Sequence, residues 1–345
     1  MGREDEREGL TRRRFVWSSV AGGVAAAVTR VPGRALAQAR PKVVLKGISV
    51  WEKPLIWSKP LLELAERVEK KSGGELVIEW RGGPESVPPF QSGEAVSKGV
   101  FDIVQTSSTF YSSAVPDAIA IYPEKASTKS LHAAGAIKLL DEIHREKFGV
   151  VFLGVSSSGI GFTIITKAPA RNLEFFKGKK IRTVPIYTPL LKALGVATVT
   201  IAPAEVYPAL ERGVVDGVAW PEMGIEERKF HEVAKYLLLP TYYEVRSAML
   251  MNRGAFEKLP PPLQKILMEA VLEVEEWGAR TWREEVGREQ ERLRKLGMEF
   301  VKLPEPDASR FLTIARDAIW EQVMKDSPKY GARLREVFTK AAEMG

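Results

Sequence analysis

From Lys42 onward the chain switches repeatedly between two hydrophobic periods. Val43–Val50 is a short apolar-rich run of the kind that forms a buried strand. Trp57–Lys71 then places Leu61, Leu62, Leu64, Ala65 and Val68 on one helical stripe. Ser72-Gly73-Gly74 stops that helix, because glycine enters the left-handed region without steric cost. Glu75–Trp80 returns as a strand. The same grammar recurs at Lys179–Val184 (strand), Tyr187–Leu194 (helix), Gly195 (cap) and Thr198–Ile201 (strand). Alternating βαβ units of this kind imply parallel strands with helices on the faces of the sheet.

Two longer patterns refine this picture. Ala95-Val96-Ser97-Lys98-Gly99-Val100-Phe101-Asp102 is echoed by Ala209-Leu210-Glu211-Arg212-Gly213-Val214-Val215-Asp216. Each reads as a helix end, a glycine stop and a short strand opening on aspartate. The separation is far too long for a solenoid repeat and suits two similar α/β lobes. Leu259-Pro260-Pro261-Pro262 then introduces a helical pattern from Leu263 to about Leu296, stopped by Gly297. Its first half carries an apolar face; beyond Arg280 it is mostly charged. That change predicts a helix packed on one body and then crossing solvent toward another.

Composition narrows the chemistry. The 345 residues contain 51 Lys+Arg, 44 Asp+Glu and no cysteine. Disulfides, thiolate metal sites and cysteine nucleophiles are excluded. Residues 1–37 hold seven of the arginines and four of the acids, and the remainder is only mildly positive. No basic tract interleaved with aromatics appears, which argues against nucleic acid as a partner. A mildly positive body favours anionic ligands. Thr11-Arg12-Arg13-Arg14-Phe15 precedes a short Ala/Gly-rich apolar stretch and the small-x-small site Ala35-Leu36-Ala37. This is the pattern of a removable export signal over 1–37, and its paired arginines resemble a twin-arginine signal. A periplasmic location follows as an expectation.

Catalytic signatures are sparse. His132, His144 and His231 are isolated and lack metal-ligand spacing. No Walker loop, dinucleotide fingerprint or nucleophile elbow occurs. Ser156-Ser157-Ser158 has no base placed beside it. The expectation is therefore a binding protein without cofactor or metal, and not an enzyme. In open α/β sheets, ligands sit at the carboxyl ends of strands. Those ends carry Trp51, Ser107, Phe110, Tyr111, Phe162, Arg182, Tyr187 and Trp220, a set of aromatic, hydroxyl and single cationic groups suited to covering a ligand's apolar body and fixing its polar end.

Lys177-Gly178-Lys179-Lys180-Ile181-Arg182, then Leu194-Gly195, then Ala204–Gly217 closely resemble the signature of the DctP-like solute receptors of tripartite ATP-independent periplasmic (TRAP) transporters. Glu69–Leu76, Ser97–Asp102 and Lys258-Leu259-Pro260 also look like that family. The resemblance runs from about Val43 to Gly297. It implies an α/β, two-lobed periplasmic solute-binding fold with mixed sheets, a hinge and a long bridging helix at about 263–296. Residues 42–158 with about 246–287 would form one lobe, and 159–245 with about 288–345 the other. It further implies that Arg182 pairs with the ligand's carboxylate, and that small and large integral-membrane subunits are the partners. Guanidinium offers a planar fork of donors that matches a carboxylate.

Departures from the family pattern bear on the ligand. Phe162 falls where sialic-acid-binding members carry a second arginine, and Phe110 falls near another polar contact. Trp220 lies where metal-dependent 2-oxoacid binders place a tryptophan after a glutamate, but Ala219 precedes it here, leaving Glu222 or Glu244 as substitutes for that metal ligand. Together these features point to a monocarboxylate with a flat or apolar body. The alternatives are a receptor for an ABC importer and a periplasmic enzyme of the same shape acting on a carboxylic acid.

Overall fold

The structure, a computed structural model, describes residues 42–345. The export signal expected over 1–37 lies outside the described residues. Twelve strands are described: β1 Val43–Ser49, β2 Leu76–Gly82, β3 Ile103–Ser107, β4 Val150–Val155, β5 Gly161–Thr166, β6 Lys180–Thr183, β7 Ala197–Thr200, β8 Gly217–Pro221, β9 Tyr236–Leu239, β10 Tyr242–Glu244, β11 Ser247–Asn252 and β12 Glu299–Lys302. They form two sheets. The first has the order β2-β1-β3-β11-β4, the second β12-β9-β5-β8-β6-β7 with β10 paired to β5.

Both sheets are built on one plan. In the first, β1 lies parallel between β2 and β3, and β11 runs antiparallel to β3. In the second, β6 lies parallel between β7 and β8, and β5 runs antiparallel to β8. The echoed segments occupy equivalent places in the two plans. Gly99 and Gly213 take φ of 73° and 74°, the left-handed stop that the sequence requires. Asp102 then clamps Lys46 of β1, accepting its N–H at 2.6 Å and donating to its carbonyl at 3.0 Å. Asp216 clamps Lys180 of β6 in the same way, at 2.8 and 2.7 Å.

The parallel strands β1, β2, β3, β6, β7 and β8 were legible as βαβ units, whereas the parallel pair β9–β12 and the returning antiparallel strands β5, β10 and β11 were not. The chain passes between the sheets at Ser156–Ile160 and again at Val245-Arg246. These crossings are bonded together: Val245 N–H donates to the Ile160 carbonyl at 2.9 Å, and Gly159 N–H to Glu244 at 2.7 Å. Arg246, fully buried, donates to the carbonyls of Ile121, Glu124 and Ala126 and to Glu244. The four donors of its two terminal nitrogens tie the 121–126 segment to Glu244 at one point.

The long helix spans Pro261–Lys295, close to its expected limits. Its second half does not cross solvent as expected. Trp282, Val286, Glu289 and Leu293 are buried along it, and Leu293 joins the core around Trp220 and Phe230. Charge-rich sequence concealed an inward stripe. Its first half packs on the helix Lys59–Lys71 beneath the first sheet. The tail after it also differs from a block lying wholly on the second sheet. The helix Asp307–Asp326 touches both Thr188–Ala193 and Pro116–Ile121, while Gly331–Glu343 packs on Thr128–Ala133, Ala136–Phe148 and Pro116–Ile121.

Candidate functional site

The strand ends of the two sheets face each other across a cavity of about 490 Å³, its open mouth included. Seven of the eight residues expected to bind ligand line it: Trp51, Ser107, Phe110, Phe162, Arg182, Tyr187 and Trp220.

Arg182 is the site's buried charge. It leaves β6 only 1% exposed. Its Nε donates to the Ile201 carbonyl at 2.9 Å and its Nη1 to the Ala219 carbonyl at 3.3 Å. The guanidinium carbon lies 5.0 Å from the centre of the Trp220 ring. Burial lowers its pKa to about 10, against the opposing influence of the Tyr187 and Tyr242 phenols, so it stays charged at neutral pH. Among the described residues, no carboxylate lies in ion-pair distance of Arg182. A buried cation without an anion is costly, and carbonyl dipoles and a π face compensate only in part. The arrangement is poised for a carboxylate supplied from the cavity.

The remaining walls are aromatic and hydroxyl-bearing. Phe162 meets Tyr187 edge-on with ring centres 5.1 Å apart. Burial pushes the Tyr187 phenol well above its ordinary pKa, so it remains a neutral hydrogen-bonding group. Trp51 stacks on Trp57 at 6.0 Å, and Trp57 stacks on Trp282 of the long helix at 5.8 Å. Ser107 shares a 2.8 Å hydrogen bond with Tyr122.

Tyr111 is the exception among the expected residues. β3 ends at Ser107, and a 3-10 turn over Ser108–Phe110 follows. Successive side chains in such a turn diverge by about 120°. Phe110 therefore reaches the cavity while Tyr111 turns into the core. There it is 2% exposed, its hydroxyl 3.0 Å from His144 and its ring stacked on Phe148. Glu222 and Glu244 are also placed elsewhere. Glu222 accepts from Gly161 N–H and Gln290, Glu244 from Gly159 N–H and Arg246, and both line a separate cavity at the strand crossings. Neither is available as a metal ligand beside Trp220, and no cluster of three metal-ligating side chains occurs among the described residues.

Several lining residues escaped the sequence reading: Trp57, Thr109, Val184, Pro203, Val245 and Ser247. Trp57 was read as a helix start, and Val245 and Ser247 lie at or next to β11, which the pattern did not reveal. Contacts bridge the two sides of the cleft. Ile186 N–H donates to Thr109 at 3.4 Å, and Arg228 forks onto Glu52 at 2.7 and 3.2 Å. Gly224, at φ 78°, lies so close to Trp57 that a Cβ would fall 2.6 Å from the indole nitrogen. The segment carrying Gly224 is itself held by the long helix. Glu289 accepts the N–H groups of Gly224, Ile225 and Glu226 at 2.7, 2.7 and 3.0 Å.

The profile of bacterial extracellular solute-binding proteins, family 7 (DctP), matches residues 49–326. The chain belongs to this DctP family. A solute-binding protein of Sulfitobacter sp. strain NAS-14.1 is 27% identical over 312 residues, covering 86% of this chain and 90% of the relative. Among solved structures, a TRAP transporter solute-binding protein from Bordetella bronchiseptica, described with calcium and picolinate in its site, aligns with a TM-score of 0.80. It is 22% identical and covers 88% of this chain and 93% of its own. A TRAP periplasmic solute-binding protein from Sulfitobacter sp. NAS-14.1, with bound β-D-galacturonate, aligns at 0.76 with 20% identity, covering 87% and 100%. At these identities the structural likeness speaks to the fold. It agrees with the two mixed sheets and long helix of this DctP-family chain, in which no described helix is long and apolar enough to cross a membrane.

Proposed function

We propose that this DctP-family protein is the periplasmic receptor of a TRAP transporter and captures a small monocarboxylate with a flat or apolar body. The observation that carries the reading is Arg182, buried and charged, without an acidic partner among the described residues, and lining a cavity walled by Trp51, Phe110, Phe162, Tyr187 and Trp220. The carboxylate would pair with the guanidinium fork while the rings cover the rest of the ligand. The two related structures are described with picolinate and galacturonate, both carboxylates, one flat and one a sugar acid. The ring-lined walls favour the flat form here. The receptor would release its ligand to small and large membrane subunits, after export by the twin-arginine route. Binding and release, without chemical change, is the whole of its work.

A thermal-shift screen of organic acids tests the reading, because a ligand that binds only the folded state raises the melting temperature. Aromatic and short apolar monocarboxylates should give the largest shifts. Shifts with neutral sugars or amines, and none with carboxylates, would overturn it.

A further inference from the structure

Arg182 has a second cation in its neighbourhood, Arg228, whose charge acts against its own. Arg228 lies in the segment that follows the lining residues Trp220 and Pro221, and Glu52 directly follows the lining residue Trp51. The two side chains meet across the cleft in a two-pronged ion pair, at 2.7 and 3.2 Å. Arg228 is only 15% exposed, and both terminal nitrogens of its guanidinium are committed to Glu52. Glu227 stands beside it, accepting the Ile56 N–H across the cleft at 3.4 Å. Next to the lining residue Trp51, two carboxylates thus stand against one guanidinium, while Arg182, without an acidic partner among the described residues, lines the cavity itself.

We propose that Glu52 masks Arg228 and thereby makes the cleft select singly charged anions over doubly charged ones. The inference rests on the monocarboxylate reading of the site. A ligand's first carboxylate finds Arg182. A second would face these two carboxylates, or would be buried among rings without a partner, which is unfavourable for an ion. Without Glu52 the same fold would present two forks, Arg182 and Arg228, and would suit a dianion. Selectivity is then set by a repulsive element as well as an attractive one.

The alternative role for this pair is a plain clasp that holds the lobes shut. The two roles differ in sign. A clasp is broken equally by removing either partner, whereas a mask is removed by Glu52→Gln and left as an uncompensated negative charge by Arg228→Gln. Isothermal titration at pH 7.5 with three matched pairs separates them: benzoate and isophthalate, picolinate and dipicolinate, lactate and malate. The wild type should bind a monoacid more tightly than its diacid partner. Glu52→Gln should improve the diacid relative to the monoacid by about tenfold or more, the worth of one charged hydrogen bond. Arg228→Gln should weaken the diacid further. If both variants weaken monoacid and diacid alike, the pair is a clasp and the proposal is overturned, while the monocarboxylate reading stands. If neither the wild type nor either variant binds any of the six acids, both the mask and the monocarboxylate reading are overturned.

Discussion

The two lobes share a scaffold and divide the chemistry. The clamps of Asp102 on Lys46 and Asp216 on Lys180 put the strands of the two sheets in register with one another. Counting two residues on from each lysine, Arg182 of the second lobe stands where the first has Ile48. Counting four on from each aspartate, Trp220 stands where the first has Thr106. All four side chains are buried. One lobe therefore supplies a cation on a π face, while its counterpart offers an aliphatic and a hydroxyl. On the proposed reading, an anion would be held by charge from one side and covered by Trp51, Trp57 and Phe110, which line the cavity, from the other. Duplicated geometry leaves each lobe free to carry different groups at the same place.

Exchanging these positions tests how far the equivalence goes. Trp220→Thr, which imitates the first lobe, should have the largest effect. It empties a buried indole site packed edge-on to Phe230 with ring centres 4.9 Å apart, a loss of about 3–5 kcal/mol for a large-to-small core change. Chemical denaturation measures it; a loss below about 1 kcal/mol would show that the ring is dispensable to the core. Arg182→Ile should come next, and on binding instead of folding. Affinity for a carboxylate should fall about ten- to a hundredfold or more, the worth of a shielded charged hydrogen bond. Ligand-free stability should change little, because replacing a buried charge by an apolar group is often neutral. Retained carboxylate binding would contradict the account.

Smaller changes probe the shared scaffold. Gly99→Ala and Gly213→Ala each force a side chain into the left-handed region, at φ of 73° and 74°. The expected cost is about 1–2 kcal/mol each and nearly equal, since no atom crowds either site beyond ordinary contact. Unequal costs would mean that the two stops are not equivalent.

The smallest effect in neutral buffer concerns the first lobe alone. Burial lowers the His144 pKa from 6.5 to about 4. Between these values the unfolded chain binds the proton and the native protein does not, so stability falls as pH drops from about 6.5 to about 4. His132 works in the opposite sense. Its hydrogen bond to Glu275 at 2.8 Å raises its pKa, and its contribution is lost as pH rises through that raised value. Melting curves of His144→Gln across the acid range should flatten the first dependence. An unchanged slope would assign it to carboxylates elsewhere.

How much of this was legible follows from which patterns are local. Parallel strands joined by a short helix announce themselves by period, and the glycine–valine–aspartate echo marks one topological position twice; β9 and β12, parallel but sixty residues apart, do not. Arg182 was found through a motif resemblance; composition alone would have left it a surface cation. Antiparallel returns such as β11 were hidden, because their partners lie far away in sequence: Ser247 pairs with Ser107. Arg246 was missed for the same reason, its acceptors lying more than a hundred residues earlier. Tyr111 was misplaced because a single 3-10 turn after β3 rotates adjacent aromatics to opposite sides, and no periodicity reports so short a turn.

The central claim is that the cavity holds a monocarboxylate on Arg182. It is tested most directly by a mass spectrum of the small molecules released on denaturing the purified protein. The account predicts an acid with one carboxylate and a planar or apolar body, absent from preparations of Arg182→Ile. A neutral sugar, an amine or a dicarboxylate released in stoichiometric amount, or the same acid recovered from the variant, would contradict it.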